Sequence, residues 1–316
     1  MLDGMKIGIV HFMAYPETIK GQGPVVETLR KIAEDDFFDL VEVTWIKDDT
    51  VREEARRLLQ EAHLEVAYGA QPCLLSQKLD LNAPDEAERK RAIDQVKQCI
   101  DEAYYLGARA LAVLSGKDPG EGGREQASSS LVASLNELCA YSAEKSSSAS
   151  GQASSTREPM PIILETFDQV PFGKNCLIGP TRQAVRVAEV VRKKHSNFGL
   201  MIDLSHLPLL GESAQEALGL AKDYLLHAHI GNCVMKDSSH PAYGDSHPRF
   251  GCEGGENDVS ELTEFLKVLR EIGYLERDDR FVSFEIMPMK GESSELVIAG
   301  AKRTLQQAWA KVRTSL

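Results

Sequence analysis

The sequence predicts an α/β fold in which eight strands alternate with helices and close into a (β/α)8 barrel. Short apolar runs rich in β-branched residues recur eight times along the 316 residues, and longer segments with helical periodicity separate them. Eight parallel strands joined by helical crossovers favour a closed barrel over an open sheet. A doubly wound sheet is the alternative, and the absence of GxGxxG after the first run disfavours it.

Each predicted strand has the length and composition of a buried parallel strand, as in KIGIVHF at the start of the chain. The eight predicted strands are residues 6–12, 40–46, 64–70, 109–115, 161–167, 198–204, 225–231 and 281–287. Amphipathic helices are predicted between them, and two have an apolar stripe that stops before Gly107 or Gly273, a typical helix end. The stripes are Ile93, Val96, Ile100, Ala103 and Tyr104, and Leu262, Phe265, Leu266, Leu269 and Ile272.

Two connections interrupt this alternation within what we predict is a single domain, residues 1–316. Residues 142–158 are rich in serine and alanine and carry few large apolar side chains, which predicts a mobile insertion before the fifth strand. Residues 232–255 differ, because they combine glycines with charged residues and histidines. Long loops of this kind at barrel mouths commonly carry function, so we expect a structured active-site loop.

Composition limits the classes of partner. Hydrophobic residues make up 42% of the chain and charged residues 27%, as in soluble globular proteins. A formal net charge of −12 disfavours nucleic acid as a partner. The six cysteines are scattered without a CxxC pair, which favours reduced thiols. The N-terminal sequence shows no signal peptide or membrane span, so we expect a cytoplasmic protein without membrane association.

Ionisable residues stand at the ends of the last four predicted strands. Because side chains alternate along a strand, one ionisable residue on each should be the last to face the barrel axis, at the C-terminal mouth where barrel enzymes keep their chemistry. Three carboxylates and one imidazole suit a divalent ion such as Mn²⁺, Mg²⁺ or Co²⁺, and without a cation the carboxylates would repel one another. The predicted ligands are Glu165, Asp203, His229 and Glu285.

Other polar residues are candidates for supporting roles. In LLHAHIGN, His227 should lie one layer below His229 as a satisfied core histidine. His206, three residues after Asp203, is a candidate to hold substrate or to donate to a ligand carboxylate.

The long loop and the second strand add three candidate substrate contacts. Lys236 and Arg249 are candidate anchors for substrate oxygens, and solvated loop charge is the alternative. Trp45 is a candidate apolar wall for a sugar face, with core packing as the alternative.

These motifs resemble the xylose isomerase-like TIM barrels, specifically the sugar phosphate isomerase/epimerase group that includes the D-tagatose 3-epimerase type. The resemblance runs from MKIGIVHF to FVSFEIMP and rests on the Glu of ILETFD, DLSH, the second His of HAHIGN and the Glu of FEIMP. It implies the same four metal ligands and a substrate contact at His206. It also implies that Glu165 and Glu285 form an acid/base pair that moves a proton next to a carbonyl through an enediolate. No organic cofactor is implied.

The sequence departs from the epimerase pattern at two positions. Pro171 and Met235 stand where that group commonly has a Glu and an Arg. Lyases or decarboxylases acting on 3-oxo sugars or sugar acids share the enediolate chemistry and are the alternative function. A small carbohydrate substrate is expected in either case, and homo-oligomer formation stays open.

Two further classes are weaker alternatives. Asp245-Ser-His247 resembles the late D-x-H metal pair of endonuclease IV-type DNA repair enzymes, but VAYGAQP and AVLSGKD lack the histidines that those enzymes carry on strands three and four. A sugar-binding protein without catalysis would keep the pocket, and the complete set of four candidate ligands argues against it.

Overall fold

Eight parallel strands close into one barrel in the order of the chain. A computed structural model gives the structure, and it describes residues 5–149, 158–168 and 172–314. Pairing of Ile7 with Val282 joins the first and last strands, so the sheet has no free edge. The strands are β1 Ile7–Val10, β2 Leu40–Val43, β3 Glu65–Gly69, β4 Leu111–Leu114, β5 Ile162–Glu165, β6 Phe198–Asp203, β7 Leu225–Ile230 and β8 Val282–Phe284. The predicted barrel and its eight strand positions are confirmed.

Helices surround the barrel and link successive strands. They are α1 His11–Ala14, α2 Val25–Ala33, α3 Asp49–Glu61, α4 Gln71–Gln77, α5 Glu86–Leu106, α6 Arg124–Ala149, α7 Thr181–Val191, α8 His206–Leu210, α9 Ala214–Ala221, α10 Val259–Glu271 and α11 Ser294–Thr314. Within the described ranges, none of them combines the length and apolar composition that crossing a bilayer requires.

Side-chain caps and a glycine set the ends of helices α5 and α10. The Asp85 side chain accepts from the backbone of Glu88 at 2.8 Å and caps α5, which stops at Gly107 with φ of 80°. Helix α10 begins with a capping box between Asp258 and Glu261. The predicted apolar stripes are buried against the barrel, apart from the partly buried Tyr104 and Ile272.

The barrel interior is filled in layers that become more polar towards the C-terminal mouth. Small apolar clusters fill its lower part, one of them formed by Ala112, Ile163 and Met201. Two residues further along β5 and β6, the inward positions carry Glu165 and Asp203. The polar quartet positions therefore lie above a layer that is apolar on β4 to β6.

The prediction of a mobile insertion over residues 142–158 is wrong for its first part. Residues 142–149 continue helix α6, and the remaining residues up to 157 lie outside the described part of the chain. The small side chain of Ser142 lets helix α6 pack closely against α5 and the segment before β5. Ser142 Oγ donates to Met160 O at 2.7 Å, and Tyr104 Oη donates to Ser142 O at 2.8 Å. Local composition misses this because the stabilising partners come from distant segments.

Candidate metal centre

The four predicted ligands meet at the C-terminal mouth. Glu165 and Asp203 end β5 and β6, His229 lies one residue before the end of β7, and Glu285 follows β8 directly. Their ligand atoms all lie within 4.8 Å of one another, and all four side chains are buried. Glu285 is the most accessible, at 9% exposed. We call Glu165, Asp203, His229 and Glu285 the quartet.

The quartet contains a buried acceptor for which the described residues supply no partner. Gln71 Nε2 donates to Glu165 Oε2 at 2.8 Å, whereas Glu165 Oε1 has no hydrogen-bond partner among the described residues. On the other side, His229 Nδ1 lies 2.7 Å from Glu285 Oε2. A buried orphan oxygen is costly, and a divalent cation among three carboxylates would satisfy it. The donor set therefore fits a hard or borderline divalent ion.

Electrostatics within the quartet favour protons on some members and charge on others. Burial, then the neighbouring Glu285 carboxylate, raises the pKa of Glu165 to about 8. Burial opposes ionisation of Asp203 as well, but a hydrogen bond from His247 and nearby imidazoliums hold its pKa below the usual range. Burial also opposes charge on His229, yet Glu42 and Glu285 raise its pKa well above the usual range. The quartet thus holds exchangeable protons that a cation would displace.

His206 opens helix α8 and is fully buried beside the quartet. Its Nδ1 lies 2.7 Å from Thr166 O, and its Nε2 lies 3.1 Å from Asp245 Oδ1. Burial disfavours the imidazolium, but the charge and hydrogen bond of Asp245, together with the charges of Asp203 and Glu165, raise the pKa of His206 to about 10. With both nitrogens bonded to protein acceptors, the His206 ring is positioned to orient Asp245. Contact between His206 and substrate stays a prediction.

The long loop inserts a second histidine into this cluster. His247 Nε2 lies 3.2 Å from Asp203 Oδ2 and 3.0 Å from Ser205 Oγ, and its backbone adopts a left-handed φ of 50°. Such backbone strain in a non-glycine residue is typical of functional loops. Asp203, His206 and His247 form a second group whose ligand atoms lie within 4.8 Å of one another.

A lysine closes the cluster towards solvent. Lys174, in the connection after β5, contacts the Asp245 carboxylate through Nζ, and its backbone N–H donates to Asp168 Oδ2 at 2.9 Å. The aromatic rings of Phe172 and Tyr243 lie 5.8 Å apart in the same pair of connections. The loops that follow β5 and β7 are therefore joined over the mouth by an ion pair and a ring contact.

Gly231 of HIGN is required by close packing next to the quartet. A Cβ atom at this position would lie 2.5 Å from the backbone oxygen of Glu285 and 3.2 Å from His247 Cδ2. Any side chain would push Glu285 or the long loop away from the centre.

The other predicted contacts lie outside the quartet's own bonding network. Lys236 Nζ pairs with Glu256 at 2.8 Å, and Arg249 Nε pairs with Glu292 at 3.0 Å. Trp45 is partly buried and donates from Nε1 to Ile19 O at 3.2 Å. For these three side chains, contact with substrate stays a prediction. His227 lies one layer below His229, as predicted, and is satisfied by Glu42 and Ser283.

Sequence reasoning missed several residues of the centre. Glu42 carried a readable signal, since it is a lone carboxylate inside the apolar run LVEVTWI. Gln71 and Lys174 gave none, because their roles depend on how connections fold. Asp245 and His247 were visible as charged loop residues, but the approach of His247 to Asp203 and of Asp245 to His206 required the path of the long loop.

The chain belongs to the family of xylose isomerase-like TIM barrels, which it matches over residues 29–307. No curated protein sequence matches it.

Solved structures share the fold at low sequence identity. A D-tagatose 3-epimerase-like protein superposes with a TM-score of 0.71 at 17% identity, covering 98% of this chain and 99% of that one. An IOLI protein with a zinc atom gives 0.72 at 18% identity, with the same coverage. A D-psicose 3-epimerase from Clostridium cellulolyticum H10, solved with D-tagatose, gives 0.64 at 18% identity, again with 98% and 99% coverage.

Proposed function

We propose that the protein is a divalent-metal-dependent sugar isomerase or epimerase that transfers a proton at the carbon next to a carbonyl. The observation that carries the proposal is the quartet: three carboxylates and an imidazole within 4.8 Å, with an unpartnered oxygen on Glu165. The names of the structural neighbours, which include 3-epimerases of ketose sugars and a zinc-containing protein, support the same class.

The ion, which we propose to be a single Mn²⁺, Mg²⁺ or Co²⁺, would be held by Glu165, Asp203, His229 and Glu285 and would supply Lewis-acid stabilisation of negative charge on substrate oxygens. Asp203 suits a purely anchoring role, because it is fully buried and Oδ1 accepts from Ser205 N at 2.6 Å. His229 is likewise fixed at both ring nitrogens. No organic cofactor is needed for this chemistry.

Glu165 and Glu285 are the proposed acid/base pair. They lie on β5 and after β8, so a carbon held between them can lose a proton to one carboxylate and regain it from the other. Gln71 fixes one oxygen of Glu165 and leaves Oε1 directed at the quartet. Loss of the proton to one carboxylate forms an enediolate of the substrate, and return of a proton from the other carboxylate regenerates a carbonyl compound.

The test is proton NMR in D₂O with purified protein, Mg²⁺ and a panel of ketoses and 3-oxo sugars. We expect metal-dependent deuterium incorporation next to the carbonyl, with interconversion of sugars. Glu165→Gln and Glu285→Gln should each reduce exchange at least about 100-fold, in keeping with loss of a general acid or base. Glu137→Gln, a carboxylate of α6 that pairs with Lys97 at 2.6 Å, is the matched control and should retain exchange.

Three results would contradict the proposal. Loss of carbon dioxide or new olefinic signals would assign the protein to the lyases. Exchange that persists with a chelator would remove the metal from the mechanism. Near wild-type exchange by either glutamine variant would remove that residue from the acid/base pair.

A further inference from the structure

A carboxylate lies beneath the quartet on the opposite side of the barrel. Glu42 belongs to β2, is 3% exposed and follows the apolar Leu40 on the inward face. Burying a carboxylate in this layer is costly unless hydrogen-bond donors surround it. Its partners therefore indicate what the residue is for.

One oxygen of Glu42 binds two histidines of β7. Glu42 Oε1 lies 2.9 Å from His229 Nε2 and 2.8 Å from His227 Nε2. An ionised carboxylate only accepts, so each imidazole donates its Nε2–H to the shared oxygen. The two rings lie edge to face, with centroids 5.1 Å apart.

This contact decides which nitrogen of His229 faces the quartet. With Nε2 bonded to Glu42, the nitrogen directed at the centre is Nδ1, 2.7 Å from Glu285 Oε2 and 3.9 Å from Glu165 Oε1. A histidine ligand needs a lone pair on the metal side and a proton on the other, and a carboxylate on the far nitrogen supplies this arrangement.

We propose that Glu42 is a positioning residue for the metal centre, which fixes the ring of His229 with Nε2 protonated and Nδ1 free to bind the ion. This inference rests on the proposed metal site. His227 braces Glu42 from below, since it binds the same oxygen and its Nε2 also lies 3.0 Å from Ser283 Oγ.

An ion held by Glu42, His227 and His229 themselves is the competing arrangement, since their ligand atoms also lie within 4.8 Å of one another. The geometry favours the positioning role. Both Nε2 atoms already lie at hydrogen-bond distance from Glu42, whereas in the quartet Glu165 Oε1 has no hydrogen-bond partner within the described part of the chain.

The experiment measures Co²⁺ affinity by absorption spectroscopy with a competing chelator, on wild type, Glu42→Leu, Glu42→Gln and His227→Asn. We expect Glu42→Leu to weaken binding about 10- to 100-fold, as for other groups that support a metal-bound histidine. Glu42→Gln keeps a neutral acceptor and should weaken binding less. His227→Asn should lower thermal stability but leave affinity within about threefold.

A second measurement separates positioning from a general effect on the fold. In the Zn²⁺-loaded protein, long-range ¹H–¹⁵N spectra should show His229 protonated at Nε2 in wild type. Glu42→Gln, which is nearly isosteric and serves if Glu42→Leu does not fold, should speed exchange of that proton with water. An unchanged Nε2–H signal in Glu42→Gln would overturn the proposal.

The outcomes distinguish the two levels of inference. If wild type binds no divalent ion, or if Asp203→Asn leaves binding intact, the proposed metal site itself fails. If wild type binds and Glu42→Leu binds equally well, only the positioning role fails. If His227→Asn loses as much affinity as Glu42→Leu, the ion lies among Glu42 and the two histidines, and the positioning role is wrong.

Discussion

Replacing Glu165 with glutamine should stabilise the metal-free protein while removing a ligand. Glu165 Oε1 is buried and has no hydrogen-bond partner in the described ranges, and burial followed by the charge of Glu285 raises the pKa of this carboxyl from 4.5 to about 8. The unfolded chain therefore releases the proton at about pH 4.5, whereas the folded protein retains it until about pH 8. The contribution of Glu165 to native stability is therefore full below pH 4.5 and is lost progressively as the pH rises to about 8.

The size of the effect follows from this window. At pH 7, keeping Glu165 protonated against an unfolded pKa of 4.5 costs about 3 kcal/mol, and at pH 5 the cost is below about 1 kcal/mol. Glutamine has nearly the same shape and does not ionise. Its amide oxygen can accept from Gln71 Nε2, which now donates to Glu165 Oε2 at 2.8 Å.

Urea unfolding with a chelator, at pH 5 and pH 7, measures the difference. Glu165→Gln should be more stable than wild type by about 3 kcal/mol at pH 7, with most of the gain absent at pH 5. Asp203→Asn is the matched control with the opposite sign, since the environment of Asp203 holds its pKa below the usual range despite burial. A glutamine variant no more stable than wild type at pH 7, or a gain independent of pH, would refute the reasoning.

Three further predictions concern other parts of the barrel. Burial lowers the pKa of His11, whose Nε2 lies 2.7 Å from Thr28 Oγ1, to about 3, so the contribution of neutral His11 to stability is full above pH 6.5 and falls on acidification. Between pH 7 and 5, wild type should lose about 2 kcal/mol that His11→Gln keeps, measured by urea unfolding; equal losses would contradict this. Mn²⁺ at about 100 times its Kd should raise the melting temperature by about 4 °C in wild type and not in Asp203→Asn; a similar rise in both would place the ion elsewhere. Gly231→Ala should fold but bind Mn²⁺ at least about tenfold more weakly in a chelator competition, because its Cβ would lie 2.5 Å from Glu285 O; unchanged affinity would show that the backbone adjusts freely.

The barrel and the quartet were predictable because they depend on local regularities. Strand length and the alternation of faces place Glu165 and Asp203 at strand ends without any knowledge of distant contacts. The same rule reaches Glu42 once the carboxylate in LVEVTWI is counted as inward-facing.

The rest of the centre depends on tertiary structure that local patterns do not encode. His247 reaches Asp203 only because the loop after β7 turns back over the mouth with a left-handed residue. Lys174 meets Asp245 across two connections separated by 71 positions in the chain. Residues 142–149 show the converse error, since their composition predicts disorder while contacts with α5 and Met160 hold them in α6.

The ligands of the quartet come from β5 to β8, in the C-terminal half of the chain. Among the described residues, the first half contributes supports such as Glu42 and Gln71. Randomising the connections after β1, β2 and β4, which contain neither a quartet residue nor the supports Glu42 and Gln71, should therefore leave the ion site in place.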